Sequence, residues 1–235
     1  MRYLGGKTRN SKAITEILNE YREEQQVYFE PFCGGLSVAM RMEGPMVLND
    51  YHEGLIHLYK SCQKGNFKYP EKWITRSEYN EYKAAMNMND PMTTFVGFGL
   101  SYAGKWYGGY DAWEDNHGNP GGVTFASVRS LQRKFNKKGI KEAVFHAKSY
   151  DEFNPEGALI YCDPPYENTT EYKGVDSFNH ELFWSVMRMW SRKNTVIISE
   201  FNAPDDFVAI WEKPYKVQMC KDQNLVTEKL FKYNG

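Results

Sequence analysis

The sequence predicts an α/β fold, a single nucleotide-binding domain interrupted by an insertion near residues 70–140. Three observations carry that reading. Near the start, the apolar run VYFEPF (27–32) is broken by Pro31 and followed by Gly34 and Gly35, and MVLND (46–50) ends in an acid. This order of strand, glycine turn, helix, strand and acid opens a nucleotide-binding α/β unit. Strand-like runs return later as AVFHA (143–147), ALIYCD (158–163) and TVIISE (195–200), with the helix-patterned HELFWSVMRMWS (180–191) between the last two. Between these halves lies GFGLSYAGKWYGGYDAWEDNHGNPGG, rich in glycine and aromatics, without a period, and too long for a plain connection.

The remaining elements follow in order. Residues 11–24 pattern as a helix, with Ser11 as N-cap and Ala13, Ile14, Ile17, Leu18 and Tyr21 on one face. LSVAMRM and HEGLIHLYKSC read as two further helices, and helical pieces around 77–86 and 126–138 flank the glycine-rich stretch. The tail NLVTEKLFKYN alternates well enough for a final antiparallel strand. The domain division is therefore 1–69 and 141–235 for the main domain, with 70–140 inserted.

Composition narrows the class. In 235 residues, 41% hydrophobic and 25% charged is the balance of a soluble globular protein. No run approaches a membrane span, and MRYLGGKTRNSK lacks the apolar centre of a secretion signal. The four cysteines, Cys33, Cys62, Cys162 and Cys220, have no C-x-x-C spacing, which argues against a disulfide framework or zinc site and for a cytoplasmic location. The five histidines are scattered, so no metal is expected. A net charge of −1 gives no global pull toward nucleic acid, but two clusters are locally basic. One is Arg2, Lys7, Arg9 and Lys12; the other runs through Arg129, Arg133, Lys134, Lys137, Lys138, Lys141 and Lys148 with Glu142 as its lone acid. Such runs are either solvated faces or phosphate-contacting surfaces, and charge alone does not choose.

Two motifs carry chemistry. In FEPFCGG (29–35) the glycines let backbone amides approach a ligand, and Asp50 stands where such folds hold a pair of ribose hydroxyls. A tight turn with a helix cap would use the same residues. A P-loop is disfavoured because no Gly-Lys-Ser/Thr follows. DPPY (163–166) is more specific. A strand-ending turn accounts for Pro164 and Pro165 but not for Asp163 and Tyr166 around them. An exocyclic amino nitrogen is a poor nucleophile because its lone pair is delocalised into the ring. A carboxylate and a proline-fixed carbonyl can accept both amino hydrogens, turn the lone pair toward an electrophilic methyl, and stabilise the positive charge that develops. Tyr166 offers a face on which an extruded base stacks.

YLGGK (3–7), FEPFCGG (29–35), LND (48–50) and CDPPYENTTEY (162–172), in that order, resemble the motif set of the Dam-type, alpha-class (D12 class) DNA adenine-N6 methyltransferases of bacteria and phages. VIISEFNAPDDF (196–207) and EKLFKYN (228–234) resemble that family's C-terminal strands. The resemblance implies a Rossmann-like methyltransferase fold, a mostly parallel twisted sheet with a mainly helical target-recognition insertion. It implies S-adenosylmethionine as cofactor, held by Tyr3, Lys7, Phe32, Cys33, Gly34, Asp50, Tyr150 and Asp163, with Lys7 pairing the donor's carboxylate and Tyr150 beside its adenine. The catalytic set is Asp163, Pro164, Pro165 and Tyr166. The partner is double-stranded DNA, contacted by Lys105 in SYAGKWYGGY and by Arg129, Arg133 and Lys134 in SVRSLQRKF. Trp106, Tyr107 and Tyr110 fit either base contact or a small local core.

The expected function is transfer of a methyl group to N6 of a flipped-out adenine. The same chemistry on cytosine N4 is the close rival, though Asp rather than Ser before Pro-Pro leans to adenine. A non-catalytic DNA-binding relative is opposed by the intact Asp163, Tyr166, Lys7 and Asp50, and a dinucleotide-dependent oxidoreductase leaves DPPY without purpose. Cys33 and Cys162 lack the Pro-Cys context of a cysteine nucleophile and read as packing residues, as do Trp184, Met187 and Trp190.

Overall fold

The computed structural model describes residues 1–111, 122–166, 178–216 and 225–235. In chain order the elements are α1 (Ser11–Glu20), β1 (Tyr28–Glu30), β2 (Met46–Asn49), α2 (Glu53–Gln63), α3 (Arg76–Ala85), α4 (Pro91–Gly99), α5 (Gly122–Phe135), α6 (Lys138–Glu142), β3 (Val144–His146), β4 (Leu159–Cys162), α7 (His180–Ser191), β5 (Thr195–Glu200), β6 (Phe207–Lys216) and β7 (Leu225–Tyr233). The strands join in one sheet of order β3-β2-β1-β4-β5-β7-β6. Its pairs from β3 to β5 are parallel, while β7 lies antiparallel between β5 and β6. The central strands are buried on both faces, which is why their sequences read as unbroken apolar runs rather than alternating ones.

The strand order reverses between β1 and β4, so their carboxyl ends diverge and leave a crevice. Asn49, at the end of β2, braces it. Its side-chain amide donates to the carbonyls of Pro31 at 2.9 Å and Lys148 at 3.1 Å, and its oxygen accepts from the Lys148 amide at 3.1 Å. One side chain thus fixes the exits of β1, β2 and β3 together.

Several elements differ from the sequence reading. The helix expected over LSVAMRM is only a 3-10 turn at Ala39–Arg41, because Leu36 adopts φ +58° and interrupts any regular helix from the glycine turn. α1 stops at Glu20 rather than 24; beyond it Arg22 reaches the carbonyls of Gln26 and Glu43 and Gln25 takes φ +58°. α4 runs into the stretch read as loop, covering that stretch's first residues, 97–99. Pro91 opens it, and the Asp90 carboxylate accepts from the Met92 amide at 2.9 Å. Its glycines hide the helical period because one is needed for packing: a Cβ at Gly97 would sit 2.4 Å from the Trp106 ring. β6 has no clear pattern and carries Pro214, tolerated because β6 is the sheet edge.

The stretch 70–140 has no core of its own among the described residues. Phe95, Val96 and Phe98 of α4 and Val123, Leu131 and Phe135 of α5 are buried in one cluster with Leu55, Leu58 and Tyr59 of α2 and Leu48 of β2. On the other face of the sheet, Phe183, Met187 and Trp190 of α7 cover Ile160, Cys162, Val196 and Ile198, the packing role expected of that helix.

Candidate active site

The turn after β1 is held from three directions. The Gly34 amide donates to Asp50 Oδ2 at 2.9 Å, Tyr59 donates to the Gly34 carbonyl at 2.6 Å, and Lys134 donates to the Gly35 carbonyl at 2.5 Å. Gly34 has φ +38°, and the Tyr3 ring lies on it: an added Cβ at Gly34 would meet that ring at 2.8 Å, and one at Gly35 at 2.9 Å. Only glycine allows this approach. Tyr3 also contacts Phe98, with ring centroids 4.9 Å apart. Cys33 is buried, its amide bonded to the Asn49 carbonyl at 2.7 Å, and burial raises its thiol well above the ordinary range, so it serves as packing.

Asp50 follows β2 and faces the same turn. Its second oxygen accepts from the His52 amide at 2.9 Å. Burial nevertheless pushes its pKa up to about 6 against those two hydrogen bonds. Two carboxylate oxygens have about four lone-pair sites, so acceptor capacity remains for ligand hydroxyls. Across the turn, Phe32 lies 5.2 Å from Tyr150, and Phe178 is 5.7 Å from Tyr150 and 6.0 Å from Phe32 by ring centroid. The aromatic group beside Phe32 and the acid at Asp50 suit a nucleoside, base to one side and ribose to the other. Phe32, Gly34, Asp50 and Tyr150 could hold a nucleoside-containing cofactor.

Asp163 follows β4 at the switch point. Its carboxylate accepts from Lys7 Nζ at 2.9 Å, and that ammonium also lies 3.4 Å from Glu228 Oε1 of β7 and 4.3 Å above the Tyr166 ring. Burial raises the Asp163 carboxyl despite the opposing pull of Lys7. For Lys7, burial disfavours the charge, yet Asp163, Tyr166 and Glu228 outweigh it and hold its pKa above the usual range. The Tyr166 hydroxyl donates to Ser199 Oγ at 2.9 Å, and Ser199 Oγ donates to Glu228 Oε1 at 3.1 Å. The ring plane of Tyr166 is fixed further by Phe201, edge-on at 4.6 Å. Pro164 is buried and Pro165 exposed; ENTTEY (167–172) lies outside the described residues.

Two of the expected site residues make their contacts within the chain. Lys7, expected to pair with a donor carboxylate, has its ammonium beside Asp163 and Glu228. Lys134 was expected at DNA, but it is 5% exposed and its ammonium is spent on the Gly35 carbonyl. Burial and the nearby Arg133 lower its pKa to about 8. Lys105, Arg129 and Arg133 are exposed. Glu228, Asn49 and Ser199 were not singled out from sequence; their partners lie too far away along the chain for spacing to reveal them.

The loop carrying Lys105 is sewn to the site. Leu4 donates its amide to the Gly104 carbonyl at 3.1 Å, and Gly104, φ +71°, comes so close that a Cβ would lie 2.6 Å from the Tyr3 nitrogen. Its aromatics join the main cluster: Trp106 packs on His52 at 4.5 Å and Phe98 at 4.7 Å, Tyr107 donates to the Thr93 carbonyl at 2.9 Å, and Tyr110 donates to that of Ile74 at 2.7 Å. Among the described residues no cluster of His, Cys, Asp and Glu could hold a metal ion, and no helix is long and apolar enough to cross a membrane.

The seven-stranded, mostly parallel sheet fits a methyltransferase fold. Residues 3–95, from Tyr3 and Lys7 through the glycine turn and Asp50 into α4, match the family model for D12 class N6 adenine-specific DNA methyltransferase.

Proposed function

We propose that this chain methylates N6 of an adenine turned out of double-stranded DNA, with S-adenosylmethionine as donor. The observation that carries the reading is the position of Asp163. It ends β4 at the reversal of strand order, beside the turn held by Asp50, with Lys7 and Tyr166 against it. When bound, the donor supplies an electrophilic methyl on a sulfonium centre.

The chain's own residues do the rest. Asp50 accepts the ribose hydroxyls, and Phe32 and Tyr150 flank the donor's base. Asp163 and the Pro164 carbonyl accept the two hydrogens of the target amino group, which frees the nitrogen lone pair from conjugation. The carboxylate then stabilises the positive charge that develops on that nitrogen, with the greater effect because the site is largely closed to water. Tyr166, its hydroxyl fixed on Ser199, holds the target base in plane. Lys105, Arg129 and Arg133, exposed on the loop and helix beyond, supply phosphate or base-edge contacts.

The test is incubation with methyl-labelled S-adenosylmethionine and DNA, followed by nucleoside analysis. Label in N6-methyladenine is expected. Label in N4-methylcytosine, or none from a folded protein, overturns the proposal.

A further inference from the structure

Asp163 carries two demands at once. In the reading above it must offer its oxygens to the target amino group, yet one of them already accepts from Lys7 at 2.9 Å. Lys7 is itself enclosed, with a side chain only 12% exposed, and an ammonium left without a counter-ion in the interior is strongly destabilising.

Glu228 answers that demand. It is 3% exposed, and its Oε1 lies 3.4 Å from the same ammonium. It is fixed from two further sides, accepting from the side-chain amide of Asn10 and from Ser199 Oγ at 3.1 Å. Because Ser199 also accepts from the Tyr166 hydroxyl at 2.9 Å, the contacts close into a ring: Tyr166, Ser199, Glu228, Lys7, and back to the Tyr166 face at 4.3 Å. The insertion of β7 beside β5 makes this possible. Ser199 pairs with Leu230, and Glu228 lies two residues along on the same face.

We infer that Glu228 is a positioning residue for methyl transfer: it is the fixed second counter-ion of Lys7, so Asp163 can turn its oxygens to the target amine while the ammonium stays paired. This rests on the function proposed above. Asp163 meets the reacting group; Glu228 acts only through Lys7 and, by way of Ser199, through the set of the Tyr166 ring.

The experiment compares Glu228→Gln with the wild type in steady-state methylation of DNA, alone and in a Lys7→Met background. Glutamine keeps the shape and one acceptor oxygen but removes the charge. In the wild-type background kcat should fall on the order of tenfold or more, with KM for DNA and donor changed less than about threefold. In the Lys7→Met background the same change should alter kcat by less than about twofold, because no ammonium remains to hold. Thermal unfolding of the free protein gives a second measure: Glu228→Gln should cost less stability with Lys7→Met than without it. Glu228→Asp, which retains the charge, should keep more of kcat than Glu228→Gln. Wild-type kcat in Glu228→Gln, fully multiplicative losses in the double variant, or equal loss in Glu228→Asp would each overturn the inference while leaving the proposed function standing. A wild-type protein inert on DNA would remove the function itself, and this inference with it.

Discussion

Asp163, partly buried, and Asp50, buried, are both carboxylates at strand ends, but their neighbours differ, and so do their expected responses to change. Asp163 has a cation against it; Asp50 has only backbone amides. Asp163→Ala should lower kcat about a hundredfold to a thousandfold, the range for removing one preorganised group at a developing charge. Circular dichroism should show the fold retained, since Glu228 still pairs Lys7; near-normal turnover would sink the mechanism. For Asp50 the sign follows from burial. Its folded pKa, about 6, lies above the ordinary carboxylate value near 4. The protonated form therefore favours folding at low pH, and that contribution is lost as pH climbs through about 6. Ionised Asp50 costs the free protein stability, which a ligand donating hydroxyls to it recovers. The rise in melting temperature on adding S-adenosylmethionine should be larger at pH 7.5 than at pH 5.5, and Asp50→Asn should flatten the difference; an equal shift at both pH values in the wild type would disprove the role. Both acids were legible in the sequence because each ends an apolar run. Glu228 was not, because Asn10, Ser199 and Lys7 meet it only after β7 is threaded between β5 and β6.

At the scale of elements, α5 shows how a basic run divides. Arg129 and Arg133, four apart, point outward, while Lys134 joins Ser127 and Leu131 on the buried stripe. That stripe, at spacings of four and three, was present in the sequence and puts Lys134 on the buried side of α5. Inside, its ammonium fastens α5 to the turn that faces Asp50. The two faces should separate in DNA-binding measurements at several salt concentrations. Arg129→Ala and Arg133→Ala should each reduce the slope of log affinity against log salt by about 0.9, the value for one lost phosphate contact. Lys134→Met should leave that slope unchanged and instead weaken binding of S-adenosylmethionine, read by calorimetry. A reduced salt slope in Lys134→Met would return the residue to the DNA face. The loop before α5 was less legible, since Gly97 and Gly104 are there to admit Trp106 and Tyr3 rather than to loosen the chain.

For the whole molecule, sequence order correctly separated the two groups of strands, because strands buried on both faces announce themselves as apolar runs. A change of texture at 70–140 was equally visible. Texture, however, reports local regularity and not which core a helix joins. Leu131, fully buried, and Phe95, also at 0% exposure, belong to the cluster that holds Leu48 of the sheet and Leu58 of α2. A helix that shares its core with the sheet cannot melt alone without exposing the sheet's own face. Leu131→Ala should therefore destabilise the whole chain by about 2–5 kcal/mol, the usual range for truncating a buried leucine. In a chain of this size each kcal/mol moves the melting temperature by about 2–4 °C. Far-ultraviolet circular dichroism and tryptophan fluorescence should shift together in a single transition, because Trp106 sits over α4 and Trp190 under the opposite face of the sheet. Two transitions, with only one moved by Leu131→Ala, would show that the stretch 70–140 folds as a separate unit and that the turn after β1 does not depend on it.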